Sequence, residues 1–190
     1  MHNTQHLIEL YADFHQAINY LIQLFYKTGQ KYTCSRTKIG KLLSIVAFVY
    51  ARRGYKLFDE KIYKYDGCGT AIREVMVYCD RDVYMQYRYF NNRQYIDDDF
   101  ISDEQIPERY QKINNLNNEL KEIIEDVFRH FGSFFTYDLG DFLNPIVELP
   151  QMVNENNEVN LNMIQSITLA DFANNEQDNA LINYLLKENV

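Results

Sequence analysis

Two histidines, His2 and His6, stand four residues apart near the start of the chain, the spacing that puts both imidazoles on one side of a helix as a metal site needs. No Cys or acid nearby completes a ligand set, and chain ends fray, so no metal is expected there. Asp97, Asp98 and Asp99 could meet a cation. The calcium-loop pattern of alternating ligands around a central Gly with a distant Glu is missing, and a solvated loop is the better reading. The run Gly67-Cys68-Gly69-Thr70 ahead of a helix has the outline of an anion-binding turn. It lacks both the GxGxxG spacing of dinucleotide sites and the Lys-Ser/Thr ending of a phosphate loop, so its glycines are expected to serve tight-turn geometry. His15 and His130 have no partner visible in the sequence and are expected at the surface or at helix ends.

Nucleophilic chemistry finds no better footing. No Ser, Cys or Thr sits in a signature such as GxSxG, and no His pairs recognisably with Cys34, Cys68 or Cys79. The odd number of cysteines, at spacings that match neither metal clips nor a disulfide framework, reads as reduced thiols in a cytoplasmic protein. The first residues lack the basic start, apolar run and cleavage site of a secretory signal, and no apolar run approaches the roughly 20 residues that span a bilayer. An enzyme is the least favoured class, and no cofactor is expected.

Charge is more informative. The chain carries a net charge of -8, yet Lys27 to Phe58 holds eight Lys or Arg and no Asp or Glu. Such a local inversion marks a surface that meets something acidic. The opposite pole is Glu148 to Val190, where seven acids face a lone Lys187. DNA phosphate, an acidic protein or this acidic tail could each meet the basic segment, and a solvated helix face is the bland alternative. The sequence pI of 5.0 makes stable nonspecific nucleic-acid binding the weakest of these.

The elements that must position these residues are mostly helical. Leu7, Tyr11, Phe14, Ile18, Leu21, Ile22 and Phe25 recur at helical intervals before Gly29 stops the run. A second, amphipathic helix begins after Ser35 or Thr37, buries Ile39, Leu42, Leu43, Val46, Val49 and Tyr50, and ends at Gly54. Tyr63 to Gly69 reads as a short strand or irregular loop, followed by a short helix from Thr70 to about Cys79. Val83, Met85, Tyr87 and Tyr89 alternate with polar residues ahead of Asn91-Asn92, and Tyr95 and Ile96 resume extension, the pattern of a β-hairpin. Leu116 to Phe131 is the strongest helix, ended by Gly132, and a shorter one from Thr136 to Leu143 is closed by Asn144-Pro145. The fold class expected is mainly α (α+β): a compact helical domain over 1–147 with a small β-hairpin, and a partly helical acidic extension over 148–190. That extension is expected to be docked or partner-dependent, with disorder around Asn154 to Asn160.

The residues TKIGKLL, the glycine turn and YKLFDEKIYKYDG, from Thr37 to Gly67, form an ordered pattern that resembles the Panacea antitoxin-like domain. Lys38, Lys41, Leu42, Leu43, Gly54, Leu57, Phe58, Asp59, Glu60, Ile62, Lys64, Tyr65 and Gly67 occupy the positions of that pattern, and VFRHFGSFFTYDLGDFLN from Val127 to Asn144 matches its later half. The resemblance covers roughly residues 14 to 145. The chain departs from it at Tyr63, where Trp is usual, at Asp66 to Cys68, where a Gly-Pro pair is usual, and at Leu143-Asn144. The resemblance implies a mainly helical domain with a small β element and no catalytic role. It also implies the company of antitoxins that neutralise toxins by direct binding, and of proteins carried by phages and other mobile elements.

Tyr and Arg dominate binding hot spots, so the expected partner-binding residues are Arg36, Lys38, Lys41, Arg52, Arg53 and Lys56 with Tyr63, Tyr65, Tyr87 and Tyr89. The leading expectation is a non-catalytic protein-binding module that neutralises a toxin or effector. The alternatives are a phage or mobile-element inhibitor of a host defence protein, with the acidic tail imitating nucleic acid, and a DNA-binding regulator using the second helix.

Overall fold

A computed structural model describes residues 2–55, 61–79, 87–90, 93–96, 106, 108–172 and 178–187, with the side chains of residues 2–13, 32, 87–90 and 93–96 outside the description. The element at its centre is a helix that carries no solvent face for most of its length. This is α2 (Arg36–Arg52), in which every residue from Lys38 to Ala51 is buried. The stretch from Leu42 to Ala51 contains Ser44 as its one hydroxylic aliphatic residue and no charge, and a helix apolar all round belongs in a core. The expectation of an amphipathic helix with a basic solvent face is corrected here. Ser44 meets its polar obligation internally by donating to the Gly40 carbonyl at 2.9 Å.

Around α2 pack α1 (His2–Lys27), α3 (Arg73–Tyr78), α4 (Asn118–Phe131), α5 (Thr136–Val147) and α6 (Ala180–Lys187). The apolar stripe of α1 is inside as its spacing predicts, with Phe14, Ile18, Leu21, Ile22 and Phe25 fully buried. Both α1 and α2 stop on a left-handed glycine. At Gly29, φ is +72° and the Gln30 N–H reaches back to the Phe25 carbonyl; at Gly54, φ is +86° and the Tyr55 N–H reaches the Tyr50 carbonyl. These are Schellman ends, a geometry that glycine adopts without steric cost. Ser35 caps the start of α2, its hydroxyl accepting from the Lys38 N–H at 3.2 Å.

The architecture is mostly helical, with two antiparallel two-stranded hairpins among the described residues. In the first, β1 (Ile62–Tyr65) pairs with β2 (Gly69–Ile72), so the region read as a strand or irregular loop is a hairpin. In the second, β3 (Tyr87–Phe90) pairs with β4 (Arg93–Ile96), with Tyr87 opposite Ile96, as the alternating pattern predicts. Val83, Met85, Asn91, Asn92 and Asp97 to Asp99 lie outside the described residues. The short helix α3 begins at Arg73, three residues later than expected, because Thr70 to Ile72 are spent on the strand.

Gly132 does not end α4 in the left-handed manner, since its backbone stays right-handed. A Cβ at that position would sit 2.5 Å from the Phe128 carbonyl oxygen, so close approach is what calls for glycine there. Nor does Asn144-Pro145 close α5, which runs on to Val147 with Pro145 inside it. Proline removes the N–H that the carbonyl of Asp141 would receive. The Asn179 side-chain amide donates instead, to Asp141 at 3.5 Å and Phe142 at 3.2 Å. Its Oδ1 meanwhile caps α6 by accepting from Leu181 and Ile182. Asn179→Ala is therefore expected to lower stability by about 1–2 kcal/mol, measured by urea unfolding. An unchanged midpoint would contradict the double role.

The acidic segment after Glu148 is docked. Met152, Ile164, Ile167, Phe172, Leu181, Ile182 and Leu185 belong to the same buried cluster as α2. The disorder expected around Asn154 to Asn160 is corrected to a structured turn: Asn154 Oδ1 accepts from the N–H groups of Asn156 and Glu158, and Asn157 takes φ +60°. This turn lies along β1, with the Lys64 N–H donating to Asn157 and the Val159 N–H to Ile62, both at 2.8 Å. Asn-rich sequence looked solvated, but short Asn side chains satisfy backbone groups locally.

Candidate binding site

The hairpin turn between β1 and β2 is an organised polar feature of the described surface. Asp66, Gly67 and Cys68 form it, with the Cys68 N–H donating to the Tyr65 carbonyl at 2.9 Å. Gly67 and Gly69 take φ of +69° and +79°, so the glycines do supply turn geometry. The turn rests on two helices. Lys41 of α2 donates its Nζ to the Cys68 carbonyl, and Asn144 of α5 accepts from the Gly69 N–H at 2.6 Å. Gly140 of α5 lies directly beneath, where a Cβ would come within 3.0 Å of the Cys68 carbonyl oxygen.

Two clefts open on either side of this Lys41–Cys68 bridge and share Thr37, Lys41 and Cys68 as walls. The first, of 270 Å³, runs between α2, β2 and α3 and is walled also by Tyr65, Thr70 and Met76. The second, of 300 Å³, lies toward the start of α5 and is walled by Gly67, Tyr137 and Gly140. Tyr65 is 55% exposed and Tyr137 74%, so each cleft has an aromatic ring presented at its edge. Thr70 is buried, and its hydroxyl has no hydrogen-bond partner. Leaving such a group unsatisfied costs roughly 1–3 kcal/mol. Lys41 is also buried, and that burial lowers its pKa, opposed by Cys68 and Asp141.

The expected partner-binding residues separate into groups. Arg36, Lys41 and Tyr65 come together at the first cleft, Arg36 also donating to the Met76 carbonyl at 3.4 Å. Arg52, at the far end of α2, lies about 24 Å from Arg36 and about 16 Å from Lys41 at about 1.5 Å of rise per residue, and Arg53 follows it. Arg53 is exposed there, while Arg52 is turned inward and donates to the carbonyls of Ile164, Gln165 and Ile167. It anchors the tail rather than facing solvent, and the expectation for Arg52 is corrected on that ground. Tyr63 is half-buried in β1, bridged to Glu158. Tyr87 and Tyr89 lie in β3 with their side chains outside the description, as does the whole of Lys56.

Lys38 is the clearest correction. It is 1% exposed; its Nζ donates to Thr33 Oγ1 at 3.1 Å and stands 5.1 Å from the Phe25 ring centroid. Burial lowers its pKa to about 8, and burial likewise raises that of the adjacent Cys34 thiol. The folded pKa lies below the unfolded value of about 10.4, so the unfolded chain binds more protons between those limits. The Lys38 contribution to stability therefore increases as pH rises through that window. The buried thiols of Cys34 and Cys79, with raised pKa values, oppose it in part of the same range. Comparison of Lys38→Met with the parent isolates the lysine. The variant is expected to be more stable at pH 7 by about 2 kcal/mol, an advantage that shrinks toward pH 10 in urea titrations. A pH-independent difference would refute it.

His130 sits in the last turn of α4, its Nδ1 2.9 Å from the Asp126 carbonyl oxygen, as expected for a helix end. His15 is instead half-buried within α1 and stacked on Tyr78 with ring centroids 4.0 Å apart. Sequence reading set the Gly67–Thr70 run aside as turn geometry and missed Tyr137, Gly140 and the side chain of Asn144. A glycine within a helical pattern, as at Gly140, is the signal that pointed to a close backbone approach. No helix among the described residues is long and apolar enough to cross a membrane. Comparison with protein-family models, curated proteins and solved structures finds no match.

Proposed function

We propose that this chain is a non-catalytic, cytoplasmic protein-binding module, antitoxin-like, that neutralises a toxin or effector by covering part of its surface. The observation that carries the reading is where large apolar side chains are left in water. Tyr65, Met76 and Tyr137 wall the two clefts, and Val77 and Phe135, their near neighbours in sequence, are 80% and 73% exposed. Exposed aromatic and Met side chains gathered around concave surface are the composition of an interaction site. The resemblance of residues 14 to 145 to Panacea antitoxin-like domains supports the same class. Three unbridged cysteines, Cys34, Cys68 and Cys79, suit a reducing compartment.

The basic face expected to meet the partner is reduced by the burial of Lys38 and by the use of Arg52 to hold the tail, and the reading places the interface on the cleft face. Co-expression with the product of the adjacent reading frame tests this. Co-purification and rescue of growth are expected, both lost in a Tyr65→Ala, Tyr137→Ala double variant that still folds. A chain that neither binds that neighbour nor relieves its toxicity is not an antitoxin of this kind.

A further inference from the structure

We propose that the two clefts together hold an extended segment of the partner protein in which an internal Asp or Glu lies between apolar residues, its carboxylate received by Lys41 and Thr70. The proposal rests on the protein-binding reading above and specifies what that surface selects. Lys41 is 4% exposed, yet it walls both clefts. An ammonium has three donors, and the Cys68 carbonyl takes one of them. Thr70, 2% exposed, walls the first cleft and carries a buried hydroxyl that nothing satisfies. An ammonium and a hydroxyl on residues that wall the same cleft fit an acceptor-only group, and an ionised carboxylate is the acceptor-only side chain of proteins.

The charge of the cleft walls agrees. Among the described residues no acid walls either cleft, and Arg36 adds a second cation to the first. Asp141 acts on Lys41 electrostatically from outside both clefts.

The acid is internal because apolar clefts flank Lys41 on both sides. A terminal carboxylate would leave one of them empty. Each cleft, at 270 and 300 Å³, is at the small end for ligand sites and suits one side chain rather than a cofactor. In an extended chain the residues on one face are two apart. The segment therefore reads apolar, any, Asp or Glu, any, apolar, with its outer side chains against Tyr65 and Tyr137.

Panning the full-length chain against a random peptide library displayed on phage tests this. Enrichment of that five-residue pattern is expected, with amide shifts of the enriched synthetic peptide's complex centred on Cys68, Gly69 and Thr70. Replacing the acid of the peptide with its amide, or Thr70→Val in the protein, is expected to weaken binding about tenfold or more. Thr70→Val removes an unsatisfied buried hydroxyl at constant shape, so the variant should unfold no earlier than the parent. Absence of enrichment, or peptides whose shifts fall elsewhere, overturns the proposal. Peptides that occupy the clefts without an acid overturn the carboxylate selectivity and leave the protein-binding reading intact. Acid-selective peptide binding by a chain that fails to rescue growth leaves this inference standing and removes the antitoxin reading.

Discussion

Arg52→Ala is expected to destabilise the protein by about 3 kcal/mol and to release the segment beyond Glu148 before the rest unfolds. One guanidinium nitrogen of Arg52 donates to three carbonyls, those of Ile164 at 2.8 Å, Gln165 at 3.0 Å and Ile167 at 2.9 Å. These close the short 3-10 helix Leu161–Ser166, where Ile164 and Ile167 are wholly buried. The Gln165 amide answers by donating to the Ala51 carbonyl at 3.0 Å, so two backbone ends are tied reciprocally. Hydrogen bonds from charged donors contribute roughly 1.5–3 kcal/mol each, and bonds sharing one nitrogen do not add. Arg52→Lys should recover only part of the loss: an ammonium has donors enough for the three carbonyls, but its stem is shorter than that of the guanidinium nitrogen that reaches them. Urea unfolding gives the magnitude, and hydrogen exchange at Ile164 to Ile167 shows whether the tail opens first. A loss below about 1 kcal/mol with unchanged exchange would make the contact incidental.

Gly69→Ala is expected to cost about 3 kcal/mol and to abolish partner binding. Two penalties coincide at this residue. Its φ of +79° is one that L side chains rarely adopt, and an added Cβ would lie 3.0 Å from Leu143 Cβ and 3.1 Å from both the Cα and the carbonyl oxygen of Gly140. Backbone cannot rotate aside as a side chain can, so the hairpin turn must lift from α5. Lifting breaks the hydrogen bond from Gly69 to Asn144 and shifts the Cys68 carbonyl from Lys41. Gly67→Ala is the control, since Gly67 has a φ of +69° but nothing within 4 Å of its Cβ position. It should cost about 1 kcal/mol. Equal losses at the two glycines in thermal or urea unfolding would show that close packing onto α5 contributes little.

The helices were legible because their signals are local. Apolar positions recur along α1 and α4, Ser35 caps α2, and Gly29 and Gly54 stand where left-handed ends are needed. The burial of α2 on every side was not legible. Lys38 and Lys41 occupy its first turns, and a lysine in sequence reads as solvent whether or not its ammonium finds a buried oxygen. Arg52 deceived in the same way, its acceptors lying more than a hundred positions away. The candidate site was half legible. The glycines of the turn announced tight geometry, but Gly140 and Asn144, which the turn rests on, belong to an element that no spacing rule connects to it.

The loop from Asn154 to Val159 has a second consequence. A two-stranded hairpin has two outer edges, and on the β1 side this loop uses the Lys64 N–H and the Ile62 carbonyl that would otherwise be open. Lys61 beside it is ion-paired to Glu158 at 2.5 Å. An open edge is a template on which another chain can add a strand, and covering it is how native proteins avoid that. A chain shortened before Glu148 would thus lose more than core contacts. It would carry a ready site for self-assembly, so the acidic segment also acts as a guard against aggregation.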